Sequence, residues 1–239
     1  MNKNSWLKAE NICFSYGDRE ILSDITLQLK RGETVAILGP SGCGKTTLLH
    51  ILLGLLPNYL GKVSKINPKD LCSYISQQDT LFAWRRVLDN ILLPCQIRGT
   101  DKKKALAKVE RYKVLFGLED VMSFYPSQLS VGLKKRVMLM QTFIAGGVFW
   151  LLDEPFVSLD LVLKVQLSRW LSDIGKKLGL GILVVTHDIL GAVKNANRIY
   201  VLGTSPATVV GRFEVDNITS NQKRWIQDKI FKLLMESVK

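Results

Sequence analysis

Residues 34–56 read TVAILGPSGCGKTTLLHILLGLL, and this stretch decides the fold. The apolar run TVAIL predicts a buried strand, and the leucine-rich residues at its other end predict a helix. Between them, Gly39 and Gly44-Lys45-Thr46 satisfy the pattern G-x-x-x-x-G-K-[ST], in the strand, loop, helix context that it requires. Chance matches to the pattern occur, but few of them lie between a buried strand and a helix. The sequence therefore predicts a loop that cradles phosphate groups.

The residues of this loop have distinct chemical roles. Its glycines let the backbone turn tightly, so that successive N–H groups can point at an anion. The following helix adds the positive end of its dipole, and we expect the Lys45 ammonium to reach the β- and γ-phosphates as a catalytic group. We expect the Thr46 hydroxyl to bind Mg²⁺. The predicted phosphate-binding residues are Gly39, Pro40, Ser41, Gly42, Cys43, Gly44, Lys45, Thr46 and Thr47.

Two further apolar strands end in groups suited to the same chemistry. VFWLL precedes Asp153 and Glu154, and the carboxyl ends of parallel strands are where such sheets bind ligands. We expect Asp153 to contact Mg²⁺ directly or through a bound water, and Glu154 to orient and deprotonate a water; two adjacent acids could also merely cap a helix. GILVVT ends at His187, which could hydrogen-bond a γ-phosphate or the attacking water. His50 is assigned no role.

Composition limits the class of protein. At 239 residues, 47% hydrophobic and 23% charged, the chain is typical of one large globular domain. The net charge of +12 comes from dispersed lysines, so we expect no nucleic-acid partner; it could favour an anionic membrane leaflet or simply maintain solubility. The four cysteines lack CxxC pairing and are expected to be reduced thiols. Without a secretory signal or an apolar run of roughly 20 residues, we expect a cytosolic protein.

In this order, the segments resemble the ATP-binding cassette (ABC) family of transport ATPases over almost the whole chain. GPSGCGKTT at residues 39–47 resembles the Walker A loop, and WLLDEP at residues 150–155 resembles the Walker B strand with its catalytic glutamate. Thr186-His187-Asp188 is similar to the switch histidine, and Ser158-Leu159-Asp160 to the D-loop, with Asp160 near the nucleotide. The resemblance implies ATP and Mg²⁺ as cofactors. It also implies that Tyr16 stacks on adenine, although Tyr16 could be an ordinary strand aromatic.

The segment YISQQ resembles the Q-loop of the family and implies that Gln77 contacts Mg²⁺ and the attacking water. Gln78 is the competing register, but LFAW at residues 81–84 favours Gln77. Together with Val87-Leu88-Asp89-Asn90, LFAW is similar to the importer branch that handles nitrate, sulfonates and taurine. In that branch the region helps to form the groove for a coupling helix of the membrane subunit. Trp84 could line that groove or fill the core of its own lobe.

Residues 129–133, LSVGL, resemble the ABC signature LSGGQ, which in the family closes over a nucleotide bound to the partner subunit. Ser130 and Gly132 are retained, and the resemblance implies that they contact the γ-phosphate. Val131 replaces a glycine, and a β-branched residue fits only if this position has an ordinary φ. A positive φ would cost about 1–3 kcal/mol and slow closure. Leu133 is a mild change. We expect a working signature with a reduced rate.

The resemblance implies an α/β fold of the P-loop NTPase type. The expected ABC ATPase fold has a RecA-like core with a mixed sheet, an antiparallel β-subdomain and an inserted α-helical subdomain. We expect a single ABC ATPase domain over residues 1–239, with a trimmed β-subdomain over residues 56–72. The inserted helical subdomain is expected at about residues 91–135, and a C-terminal β element and helix at about residues 204–239.

The implied function is ATP hydrolysis that powers import of a small organic or inorganic solute of the nitrate, sulfonate and taurine class. The implied partners are a second ATPase subunit (in a homodimer or heterodimer), transmembrane permease subunits and an extracytoplasmic substrate-binding protein. Such a subunit is peripheral, at the cytoplasmic face of the cell membrane. The altered signature LSVGL leaves a weakly hydrolysing regulatory subunit as an alternative. Soluble ABC ATPases of DNA repair or translation carry long insertions or two cassettes, for which 239 residues leave no room.

Overall fold

The computed structural model describes residues 6–157, 159–204 and 206–237. Ser158 of the predicted D-loop lies outside the described residues, as do residues 1–5, Ser205 and residues 238–239. The strands are β1 (Trp6–Tyr16), β2 (Arg19–Lys30), β3 (Thr34–Leu38), β4 (Leu60–Lys65), β5 (Cys72–Ile75), β6 (Phe149–Asp153), β7 (Gly181–Val185), β8 (Arg198–Leu202) and β9 (Val209–Glu214). The helices are α1 (Lys45–Leu53), α2 (Val87–Ile97), α3 (Lys102–Phe116), α4 (Val131–Ile144), α5 (Leu161–Leu178), α6 (Ile189–Asn195) and α7 (Ser220–Glu236).

A small antiparallel sheet has the strand order β2-β1-β4. Along β1, buried Leu7 and Ala9 alternate with more exposed residues, as expected for a sheet with one face on the core. The hairpin between β1 and β2 turns at Gly17, which has φ 57°. In the region predicted to be a trimmed β-subdomain, β4 is a single strand that pairs with β1.

The larger sheet is mixed, with the order β5-β6-β7-β3-β8-β9. All neighbouring strands are parallel except β9, which runs antiparallel to β8. β3 and β6 are buried along their whole length, and their apolar sequences reflect cover on both faces. Because β6, β7 and β3 are adjacent and parallel, the loops that follow them meet at one edge of the sheet.

The helices cover both faces of this sheet. Apolar residues of α1 belong to one buried cluster with both sheets, so α1 lies between them. On the opposite face, α6, α7 and part of β9 share a smaller cluster with β3 and β8. Within the described part of the chain, none of the helices is both long and apolar enough to cross a bilayer.

Three helices, α2, α3 and α4, are inserted in the chain between β5 and β6. Their core includes Val109 and Phe116, and it continues without a break into Trp150 of β6 and Leu171 of α5. The helices extend beyond the expected range of about 91–135, because α2 begins at Val87 and α4 continues to Ile144 to complete this core. After β8, the described chain continues with β9 and then α7.

Candidate functional site

The glycine-rich loop joins β3 to α1 and turns through two left-handed residues. Gly42 has φ 76° and Gly44 has φ 108°, a backbone region that glycine reaches without steric penalty. A Cβ added at Gly44 would lie 2.8 Å from Cγ2 of Ile21 and 2.9 Å from Cδ2 of Leu22. The loop is therefore packed tightly against β2, and its shape depends on glycine at this position.

The Lys45 side chain lies inside the curve of this loop. Its Nζ donates hydrogen bonds to the carbonyl oxygens of Gly39, at 2.9 Å, and Pro40, at 2.7 Å. The residue is only 8% exposed. A buried ammonium at the start of a helix concentrates positive charge where the loop is open, which suits a phosphate group.

Asp153 ends β6 opposite the second residue of α1. Its Oδ2 accepts a hydrogen bond of 2.7 Å from the Thr46 hydroxyl and one of 3.3 Å from the Tyr74 hydroxyl. Burial, with the Asp153 carboxylate, raises the pKa of Tyr74 to about 12, so this phenol remains a donor at neutral pH. Thr46 and Asp153 thus present a hydroxyl and a carboxylate oxygen side by side, a donor set that suits Mg²⁺.

Glu154 and His187 meet at the ends of neighbouring strands. Asp153 and Val185 are paired across β6 and β7, so the residues that follow them are brought close together. Nδ1 of His187 lies 3.0 Å from Oε1 of Glu154. The backbone N–H of Glu154 donates to the carbonyl of Val185 at 3.0 Å, and Glu154 has φ 45°. A left-handed φ is uncommon outside glycine and is frequent at functional sites.

Lys45, Thr46, Asp153 and Glu154 line a cleft of about 390 Å³, a size within the range of small-molecule sites, whereas His187 is not one of its lining residues. Of the two candidate glutamines, Gln77 lines the cleft. Tyr16 is 53% exposed at its mouth and packs edge-on against Phe14. The cleft is lined by Tyr16, Arg19, Ile21, Ser41, Gly42, Gly44, Lys45, Thr46, Thr47, Gln77, Asp153 and Glu154. Cys43 points away into the core, where burial raises the pKa of its thiol.

A second group of predicted residues lies where α4 meets α5. Ser130 caps α4, and its hydroxyl accepts a hydrogen bond of 3.3 Å from the N–H of Leu133. Asp160 caps α5 and accepts a hydrogen bond of 3.0 Å from the N–H of Leu163. Gly132 packs on the same Leu163, since a Cβ there would lie 3.2 Å from its Cδ1. The fold thus gathers most of the predicted residues into two groups, the cleft and this helix pair. Gly39, Pro40, Cys43 and His187 belong to neither group.

Val131 is the first residue of α4 and is 44% exposed. A residue in an α-helix has a negative φ, which a β-branched side chain adopts readily. The positive φ that would make Val131 a source of strain is therefore absent in the isolated chain. The reduced rate remains a prediction, and it would have to arise from contacts of the side chain.

Residues 22–157 match the family model described as ABC transporter. The chain belongs to the ABC transporter family. Its relatives include the taurine import ATP-binding protein TauB of Pseudomonas aeruginosa, with 35% identity over 89% of this chain and 84% of the relative. The TauB protein of Escherichia coli strain K12 is 33% identical over 88% of this chain and 84% of the relative. The predicted resemblance to the taurine branch is confirmed.

Solved structures agree with this family. One, described as the ATP-binding subunit of an ABC transporter, has a TM-score of 0.74 and 22% identity, and covers 96% of this chain and 99% of its own. Another, cbiO1 from Clostridium perfringens, part of the ABC transporter complex cbiONQ, has a TM-score of 0.81 and 24% identity, with 96% and 98% covered. They confirm the predicted ABC ATPase fold. ATP-binding subunits of the ABC family bind and hydrolyse ATP, and the chain is accordingly an ATPase.

The structure of this ABC protein also reveals contacts that sequence reasoning missed. Arg19 lines the cleft three residues after Tyr16, just past the hairpin turn. Lys135 of α4 is 4% exposed and reaches the Q-loop, where its Nζ lies 2.9 Å from Oδ1 of Asp79 and 3.1 Å from the carbonyl oxygen of Gln77. The basic run at residues 134–136 was visible in the sequence, but its partner is far away along the chain.

Proposed function

We propose that the chain is the ATP-hydrolysing subunit of an ABC importer for a small solute of the nitrate, sulfonate and taurine class. The observation that carries the proposal is the 3.0 Å contact between Glu154 and His187 at the edge of a cleft that already contains Lys45, Thr46 and Asp153. A regulatory subunit that closes on ATP without turnover would have no use for a carboxylate held in a left-handed backbone conformation. The TauB relatives support the importer assignment through their names.

In this proposal the loop and its helix bind the nucleotide. The N–H groups of the loop and the Lys45 ammonium would surround the β- and γ-phosphates, in exchange for the two carbonyl contacts that Lys45 makes now. Tyr16 would stack on the adenine, because its ring is exposed at the mouth of the cleft. Arg19, beside it, would add positive charge near the phosphates.

Mg²⁺ fits the donor set at the end of β6. It would be held by the Thr46 hydroxyl and by Asp153, directly or through water, with the Gln77 side chain as a further contact. When bound, it would neutralise charge on the phosphates and thereby favour phosphoryl transfer.

Glu154 would orient and deprotonate the attacking water. His187 would hold this carboxylate in place through Nδ1 and could present its other nitrogen to the γ-phosphate. Positioning and electrostatic stabilisation would supply most of the catalysis, as in other P-loop enzymes.

The helix-pair group would act on a nucleotide of a second ATPase subunit. Ser130, Gly132 and Asp160 are absent from the lining of the cleft in this chain, which supports a composite site completed by a partner. The N-terminus of α4 would face the γ-phosphate of that partner. The partner subunit would be a second copy of this chain or a homologue.

The membrane partners follow from the importer assignment. Permease subunits would dock beside the Q-loop, where Trp84 is 73% exposed and packs edge-on against Phe82. The ATPase would then be peripheral, at the cytoplasmic face of the cell membrane. An extracytoplasmic substrate-binding protein would deliver the solute.

Steady-state ATP hydrolysis with Mg²⁺, measured alone and with the permease, tests the catalytic proposal. We expect Glu154→Gln to lower the rate by at least about 100-fold while ATP binding is kept, because the general base is lost. Glu110→Gln is the matched control, since Glu110 is exposed on α3 and pairs only with Lys113 in the described structure. Wild-type protein that binds ATP without turnover in both settings would instead favour the regulatory alternative.

The solute class needs a separate experiment. The complete transporter in vesicles, supplied with taurine, an alkanesulfonate or nitrate on the binding-protein side, should hydrolyse ATP faster with one of these than without solute. Stimulation by an amino acid or a sugar and by none of the three anions would refute the solute class and leave the ATPase assignment standing.

A further inference from the structure

The carboxylate of Asp153 has a second donor, the hydroxyl of Tyr74, to which the family resemblance assigned no role. Asp153 is 7% exposed, and its Oδ2 accepts from both the Thr46 hydroxyl, at 2.7 Å, and the Tyr74 hydroxyl, at 3.3 Å. The two donors come from different layers of the fold, one from α1 and one from β5. Both donors bond to the same oxygen from different elements, and two such donors restrict the orientation of the carboxylate more than one donor does.

Strand register brings Tyr74 to this position. β5 is the edge strand of the large sheet and pairs in parallel with β6, with Tyr74 opposite Leu151. Asp153 lies two residues further along β6 and therefore on the same face as Leu151. The long phenol side chain spans this offset to reach the end of the neighbouring strand.

The Tyr74 ring is itself held in place. It packs with the core cluster that joins α1 to both sheets, and it meets the ring of His50 edge-on, with centroids 5.5 Å apart and an interplanar angle of 74°. His50 thus has a structural part in orienting this ring. An aromatic ring fixed between a helix and a strand loses little further freedom when its hydroxyl makes a hydrogen bond.

We propose that Tyr74 is a positioning residue for metal binding: its hydroxyl holds the Asp153 carboxylate in the orientation that the Mg²⁺ of the bound nucleotide requires. Thr46 must share its hydroxyl between Asp153 and the cation, whereas the Tyr74 hydroxyl is available to orient Asp153 both before and after the cation binds. This inference rests on the proposed function, in which Thr46 and Asp153 form the metal site.

Tyr74→Phe tests the inference because it removes one hydroxyl and keeps the ring. The probe is Mn²⁺, titrated into the ATP-bound protein and followed by the electron paramagnetic resonance signal of the free ion. We expect the Kd of Mn²⁺ to rise about tenfold, at the lower end of the effect of removing a partner of a metal ligand, because the hydrogen bond is long. ATP binding measured in EDTA should be unchanged. Tyr112→Phe is the matched control, because Tyr112 lies on α3 among the inserted helices and its ring packs against Phe143.

Turnover gives a second readout that a merely structural role would not change. In Tyr74→Phe the Mg²⁺ concentration for half-maximal ATP hydrolysis should rise by a similar factor, while the rate at saturating Mg²⁺ returns to near the wild-type value. A Kd for Mn²⁺ within twofold of wild type, or a lower rate that Mg²⁺ does not restore, would overturn the role of Tyr74. Wild-type protein that binds ATP but no Mn²⁺ would overturn the proposed metal site as well.

Discussion

The buried ammonium of Lys135 predicts an asymmetric pair of mutational effects. Lys135 joins α4 to the Q-loop through Asp79 and the carbonyl of Gln77. The Lys135 side chain is 5% exposed, whereas that of Asp79 is 40% exposed. Removing Asp79 therefore leaves a buried charge, but removing the Lys135 charge leaves a carboxylate that water can solvate.

The free energies of unfolding follow from this difference. A buried charge that loses its partner destabilises a protein by about 3–5 kcal/mol. Lys135 keeps the Gln77 carbonyl, and water can enter beside the partly exposed Asp79 position, so we expect Asp79→Ala to cost about 2 kcal/mol. Lys135→Met keeps the aliphatic volume and should cost less than about 1 kcal/mol. In the double variant the buried charge is gone, so its stability should equal that of Lys135→Met.

Urea unfolding of the two single variants and the double variant measures these values, with thermal unfolding as a second probe. For a chain of this size, about 2 kcal/mol corresponds to a decrease in Tm of about 4–8 °C. The reasoning is refuted if Lys135→Met is more destabilising than Asp79→Ala, or if the double variant is no more stable than Asp79→Ala.

Three further predictions concern other parts of the fold. Val131→Gly should lower stability by up to about 1 kcal/mol, because Val131 has a helical backbone and glycine loosens the helix start; a gain in stability on thermal unfolding would indicate strain after all. Gly61→Ala should cost about 2–4 kcal/mol in urea unfolding, because φ is 94° and a Cβ would collide with the backbone oxygen of Asn11 in β1. Gly54→Ala, where φ is 76° and a Cβ would meet open space, should cost about 1 kcal/mol. Burial tends to raise the pKa of Glu214, but hydrogen bonds, first that from Arg198, lower it below the ordinary 4.5. The contribution of Glu214 to the free energy of unfolding is therefore present above pH 4.5 and is lost as pH falls through the lowered pKa. Glu214→Gln should flatten the acid side of the plot of unfolding free energy against pH, and an unchanged plot would contradict this.

Local pattern carried most of the prediction of the cleft. Strands precede Gly39, Asp153 and His187 as the apolar runs predict, since each run is long enough to form a buried strand. Glu154 and His187 could be placed near each other because the carboxyl ends of parallel strands meet at one edge. These inferences needed only the order of residues and the rule for parallel sheets.

The contacts that were missed depend on strand order and register. Tyr74 reaches Asp153 because β5 pairs with β6 in one particular register, and apolar pattern alone does not give that register. Lys135 meets Asp79 because α4 packs back beside the Q-loop, although the two are more than fifty residues apart in sequence. Long-range side-chain pairs of this kind follow from packing and have no local signal.

The backbone conformation of Glu154 sets the stability of the fold against ATP turnover. Its φ of 45° lies in the left-handed region, which glycine adopts freely and which strains a residue with a side chain by about 1–2 kcal/mol. A stabilisation campaign that scores only heat resistance would therefore enrich glycine at this position and discard the proposed general base. Engineers who seek a hardier version of this enzyme should hold residue 154 constant and look for their gains elsewhere.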